Sequence, residues 1–108
     1  MGSIEGGNRM RKSWNDMTIR EFQTSLASSS PTPGGGTAAA IALGQASALA
    51  MMVSKLTLND EKWKSGWEKA EQIHSIATVT MERAFELADE DSDAFDGVMR
   101  SFKLPKNN

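Results

Sequence analysis

The sequence has no cysteine and no tyrosine, one histidine and three prolines. Without cysteine there is no disulfide, no zinc–thiolate site and no iron–sulfur cluster. The absence agrees with a reducing cytoplasm, where the chain is expected to work. A lone His74 cannot build a histidine metal cluster, so no metal site is expected. Charge of one sign is also missing. Twelve basic residues face fourteen acidic ones, a net charge of −2, which leaves no electrostatic footprint for nucleic acid. Met1 to Lys12 carries basic residues, but no long apolar run follows before Trp14-Asn15-Asp16, so this is not a secretory signal. Residues 1–16 are expected to be a flexible arm or a cloning remnant, and residues 17–108 one helical domain. A chain of this size buries only about two-thirds of its unfolded surface, which limits the core it can build alone.

The first start signal is Thr18, with Glu21 three residues on: a capping box, flanked by Met17 and Phe22 at the positions of a hydrophobic staple. Ile19, Phe22 and Leu26 share a face, which predicts a helix from Ile19 to about Ala27. Pro31 and Pro33 end it, and a helix restarts near Gly36 or Thr37. From Phe22 to Ser54 there is no charged residue. Ala38, Ala42, Ala46 and Ala50 form one ridge of small side chains, and Gly36, Ala40, Gly44 and Ala48 form another. A membrane span is the rival reading of this stretch. Gln45, Ser47, Thr37, the weak hydrophobicity of alanine and the lack of an aromatic belt favour a buried helix and no membrane. After a break at Thr57 to Glu61, with Asn59 or Asp60 as cap, a long stripe begins. It holds Trp63, Trp67, Ala70, His74, Ala77, Met81, Ala84 and Ala88, and runs to Asp96, with a bend allowed at Gly97. No period-two strand stands out. The reading is all-α: an antiparallel up-and-down bundle with an Ala-rich central helix. That helix needs more neighbours than the chain supplies, so oligomerisation or further chain is expected.

Three features could carry chemistry. Seven of the fourteen acids lie between Glu82 and Asp96, including Asp89, Asp91 and Asp93. Pattern alone favours a solvated face, since like charges at i, i+4 are mildly destabilising. A paired-carboxylate acid/base site is the sharper alternative. The stretch from Ser28 to Thr37 places glycines at a helix start, where free N–H groups suit an anion. No Gly-Lys-Ser/Thr follows, so it is not a phosphate-binding P-loop, and composition alone reads it as a linker. His74, Trp63 and Trp67 read as packed residues rather than a base or stacking platforms.

Ser28-Ser29-Ser30-Pro31-Thr32-Pro33-Gly34-Gly35-Gly36-Thr37-Ala38-Ala39-Ala40 resembles the opening signature of the formiminotransferase-cyclodeaminase C-terminal family, which includes stand-alone methenyltetrahydrofolate cyclohydrolases. Met52-Val53-Ser54-Lys55-Leu56-Thr57 resembles its second block, although Asn is usual where Lys55 stands. Asp89-Glu90-Asp91-Ser92-Asp93-Ala94-Phe95-Asp96, followed by Lys103-Leu104-Pro105-Lys106, resembles the third. Three blocks in order cover Met17 to Lys106, and the chain looks like the first half of such a domain.

The resemblance implies an all-helical, dimeric cytoplasmic protein acting on a tetrahydrofolate derivative, without a tightly bound cofactor. It implies a lyase (cyclodeaminase) or a hydrolase (cyclohydrolase). Asp89, Asp91 and Asp93 become the acid/base candidates, Asp91 foremost. Ser30, Pro33, Gly34, Gly35, Gly36 and Thr37 become a folate-binding wall, with Gly35→Val expected to block close approach of the folate. The alternative is an inactive, truncated relative kept as a helical self-association module.

Overall fold

The computed structural model describes residues 11–103. Their regular structure is all helical, with no strand among the described residues. A 3-10 turn at Trp14–Asp16 precedes helix α1 (Ile19–Leu26), α2 (Gly35–Leu58), a second 3-10 turn at Glu61–Gly66, and α3 (Trp67–Lys103). The chain divides into two units. The first holds the described residues up to Ala38 and from Leu87 onward; the second is Ala39–Glu86.

The local signals act as their chemistry requires. Thr18 Oγ1 accepts the Glu21 N–H at 2.9 Å, and Glu21 Oε1 accepts the Thr18 N–H at 2.9 Å, which closes the capping box. Phe22 packs edge-on to the ring of Trp14, centroids 5.8 Å apart. Asp60 caps the second 3-10 turn by accepting the Lys62 N–H. The α3 helix passes Gly97 and continues to Lys103, so the bend allowed at that glycine does not end it.

In the second unit the core is made of small side chains. Ala40, Gly44, Ser47 and Ser54 are buried on α2; Ala70, Ala77 and Ala84 are buried on α3. The buried stripe of α2 therefore follows neither expected ridge alone. It takes Ala40 and Gly44 from one, and leaves Ala42 and Ala46 of the other exposed. A contact stripe steps by three and four residues alternately, whereas each ridge steps only by four and drifts around the helix. The buried hydroxyls are satisfied within their own helix: Ser47 Oγ donates to the Leu43 carbonyl and Ser54 Oγ to the Ala50 carbonyl, both at 2.9 Å. The Trp67 indole N–H donates to the Thr57 carbonyl at 2.9 Å and ties the two ends of the connection. Trp63, expected at the head of the stripe, is 53% exposed, with the Lys62 ammonium over its ring. The 3-10 turn rotates it away from the α3 face.

A Cβ added at Gly44 would meet the Ala84 Cβ at 3.5 Å, an ordinary contact. Gly44→Ala is thus expected to stabilise the chain by about 0.5–1 kcal/mol through helix propensity. Thermal unfolding checks this, and a lower midpoint would mean the seam is tighter than this geometry.

Large apolar side chains remain uncovered on this unit. Leu49, Met52, Val53 and Leu56 on α2, and Ile76 and Val79 on α3, are exposed. Two facing helices cover only one stripe of each other, which agrees with the expectation that this helix needs more neighbours than the chain supplies. By length and composition α2 is apolar enough to cross a membrane, yet its buried positions are small and partly polar.

Candidate functional site

The first unit brings the glycine loop, the acidic stretch of α3 and the N-terminal segment together. Residues 1–10 of the expected arm lie outside the described residues. Within Arg11 to Asp16, assigned to the same arm, Trp14 is buried at 6% exposed and Arg11 and Ser13 are half-buried, while Lys12, Asn15 and Asp16 are exposed. What holds them is Asp89. Its Oδ1 accepts from the Arg11 guanidinium at 2.9 Å and from the Trp14 N–H at 3.0 Å. Its Oδ2 accepts from Asn15 Nδ2 at 3.2 Å and from the Ser13 hydroxyl. Asp93, one turn further along the same face, receives the other arm of Arg11 at 3.2 Å. One guanidinium thus bridges two carboxylates that would otherwise repel each other at i, i+4.

Asp91 is placed differently. Two residues along a helix is a rotation of about 200°, so it leaves the face of Asp89. Its carboxylate lies against the start of α2, where Thr37 Oγ1 stands 3.4 Å from Oδ2. A Cβ added at Gly36 would come within 2.5 Å of both carboxylate oxygens, so only glycine fits there with Asp91 as it stands. A Cβ at Gly35 meets nothing within 4 Å. The position where a side chain crowds the structure is therefore Gly36. Gly35 faces open space, and a loss of ligand binding in Gly35→Val would report a ligand lying there.

Behind this contact sits a buried hydroxyl pair. Thr37 and Ser92 are fully buried, with their oxygens 2.7 Å apart; Thr37 Oγ1 also donates to the Ala88 carbonyl at 2.9 Å. A second link joins loop and acidic stretch, from Thr32 Oγ1 to Asp96 Oδ1 at 3.2 Å. The Thr32–Pro33 peptide is cis and Pro33 is buried. The Gly34 carbonyl accepts the Ala38 N–H at 3.0 Å and starts α2. Ser30 is exposed, its N–H donating to Ser28 Oγ.

Of the expected site residues, Gly36, Thr37 and Asp91 thus meet. Asp89 and Asp93 face the N-terminal segment, and Ser30 lies outside both contacts. Sequence reasoning missed Arg11, Ser13, Trp14 and Asn15. It also missed Ser92, whose only signal was its place within the acidic block. His74 belongs to the other unit, and its buried Nε2 has no hydrogen-bond partner among the described residues. No group of three or more metal-binding side chains occurs among the described residues.

The Formiminotransferase-cyclodeaminase family matches residues 18–108, and the chain belongs to that family. A methenyltetrahydrofolate cyclohydrolase of Methylorubrum extorquens (strain AM1) is 42% identical over 97 residues, covering 83% of this chain. The chain spans 43% of that relative's length. No solved structure matches.

Proposed function

We propose that this chain carries the folate-handling face of a cytoplasmic methenyltetrahydrofolate cyclohydrolase, with Asp91 as its proton-transferring carboxylate. One observation carries the reading: Asp91 is exposed and lies against Gly36 and Thr37 of the loop, while its neighbour Asp89 is sealed by four donors. In the reaction, water adds to the methenyl carbon that bridges N5 and N10 of a cationic folate. Asp91 takes a proton from that water as general base. The carbon–N5 bond then breaks as N5 takes up that proton, the hydroxyl on the carbon gives its own proton to solvent, and a formyl group remains on N10. A carboxylate beside the cation also favours its binding. The free N–H groups at the start of α2 suit an anionic part of the same ligand.

The family's description favours a second reading, ring closure of a formimino-folate with loss of ammonia. There the same carboxylate, as an acid, protonates the departing amine.

Two copies of the chain are part of the proposal. The uncovered apolar side chains of α2 and α3 make a surface that a second copy would cover. The test is an absorbance assay on the gel-filtered protein with both folates. A dimer that removes the methenyl chromophore faster than buffer does supports the cyclohydrolase. Appearance of the chromophore from the formimino compound selects the cyclodeaminase. A helical protein inert toward both overturns the enzymatic reading and leaves the self-association module.

A further inference from the structure

We infer that Trp14, which lies outside the span matched by the family, is a positioning residue for Asp91. Its indole N–H sets the direction of hydrogen bonding through Ser92 and Thr37; the functional consequence rests on Asp91 being the working carboxylate, as proposed above. The path is continuous. Trp14 Nε1 lies 2.9 Å from Ser92 Oγ, Ser92 Oγ 2.7 Å from Thr37 Oγ1, and Thr37 Oγ1 3.4 Å from Asp91 Oδ2.

An indole nitrogen only donates, so Ser92 accepts from it. The proton of Ser92 then needs an acceptor, and Thr37 Oγ1 is the one its contacts provide. Thr37 in turn has one proton, shared unequally between the Ala88 carbonyl at 2.9 Å and Asp91 Oδ2 at 3.4 Å. Both hydroxyls are fully buried, so water does not reset these directions. Remove the indole N–H and Thr37 is free to turn its proton toward Ser92, which takes the donor away from Asp91.

The indole is itself held from a second side. The Arg11 guanidinium lies 4.3 Å over its ring while bridging Asp89 and Asp93, and the Trp14 backbone N–H donates to Asp89. The N-terminal segment is thus joined to the site by two routes, a charged clasp on Asp89 and a neutral relay to Asp91.

Trp14→Phe keeps an aromatic ring under Arg11 and deletes only the donor. The side-chain carboxyl 13C resonance of Asp91 should shift in this variant, and again in Ser92→Ala, which breaks the relay midway if Trp14→Phe folds poorly. Turnover should fall about tenfold with KM within about twofold. The double variant Trp14→Phe/Thr37→Val should be no slower than Thr37→Val alone, because both act through one path. An Asp91 resonance unmoved in both single variants, or losses that add in the double variant, overturns the relay. If the resonance moves but the wild-type chain is inert toward both folates, the relay stands and the cyclohydrolase reading falls.

Discussion

Asp91→Asn is expected to lower turnover by about 10²–10⁴-fold, the range for loss of a positioned acid or base. The amide is nearly isosteric and keeps an oxygen for Thr37 but has no basic carboxylate. Asp91 is exposed, on the side of α3 away from the Asp89 clasp, so circular dichroism and the melting midpoint should stay close to wild type. Two companions sharpen the result. In Gly36→Ala the new Cβ would fall 2.5 Å from both Asp91 oxygens, so the carboxylate must move and turnover should drop with it. Asp93→Asn, which weakens one end of the Arg11 bridge, should cost a few-fold at most. Near-normal turnover in Asp91→Asn, or an equal loss in Asp93→Asn, would sink the assignment.

The largest stability effect is expected at Asp89. Asp89→Ala removes the acceptor of four donors at once: Arg11, Ser13, the Trp14 N–H and Asn15. Breaking one side of a buried ion pair typically costs about 3–5 kcal/mol, because the partner is left buried and unpaired. Here the lower end is expected. The Arg11 side chain is 19% exposed and keeps Asp93 at 3.2 Å. For a chain near 100 residues, about 3 kcal/mol lowers the melting midpoint by roughly 12–24 °C. Against a total stability of about 5–15 kcal/mol this is a large share. Thermal unfolding followed at 222 nm measures it, and a drop of only a few degrees would mean the clasp is not formed in solution. Asp89→Asn should fall between, since the amide still accepts from the Trp14 N–H but loses the charge that Arg11 faces.

The two carboxylates are thus assigned opposite duties by what surrounds them. Asp89 has its lone pairs taken by the N-terminal segment and acts on stability. Asp91 meets glycine and a hydroxyl and keeps solvent access, which is what the proposed proton transfer would require.

Local order was legible because its causes are local. Thr18 and Glu21 announce α1, since both bonds of the capping box close within three residues. The loop from Ser28 to Gly36 ends one helix and opens the next, because proline and glycine act on their own φ and on their neighbours. Ala70, Ala77, Ala84 and Ala88 mark the inner face of α3 by spacing alone. The matching face of α2 was not legible in the same way. Nearly every residue there is small or apolar, so several stripes fit one pattern, and only the facing alanines select Ala40, Gly44, Ser47 and Ser54.

By itself, then, the sequence determined an all-helical chain, the bounds of α1 and the start of α2 to within a residue or two, and the family whose loop and acidic block it carries. Which aspartate meets the loop was decided by the tertiary structure alone. Asp89, Asp91 and Asp93 are chemically alike and lie within two turns of one helix. Their difference comes from partners far away in sequence: Trp14 reaches Ser92 across 78 positions and Thr37 reaches Asp91 across 54. No periodicity encodes such a meeting, because it depends on how whole helices are set against one another and on which donors arrive there.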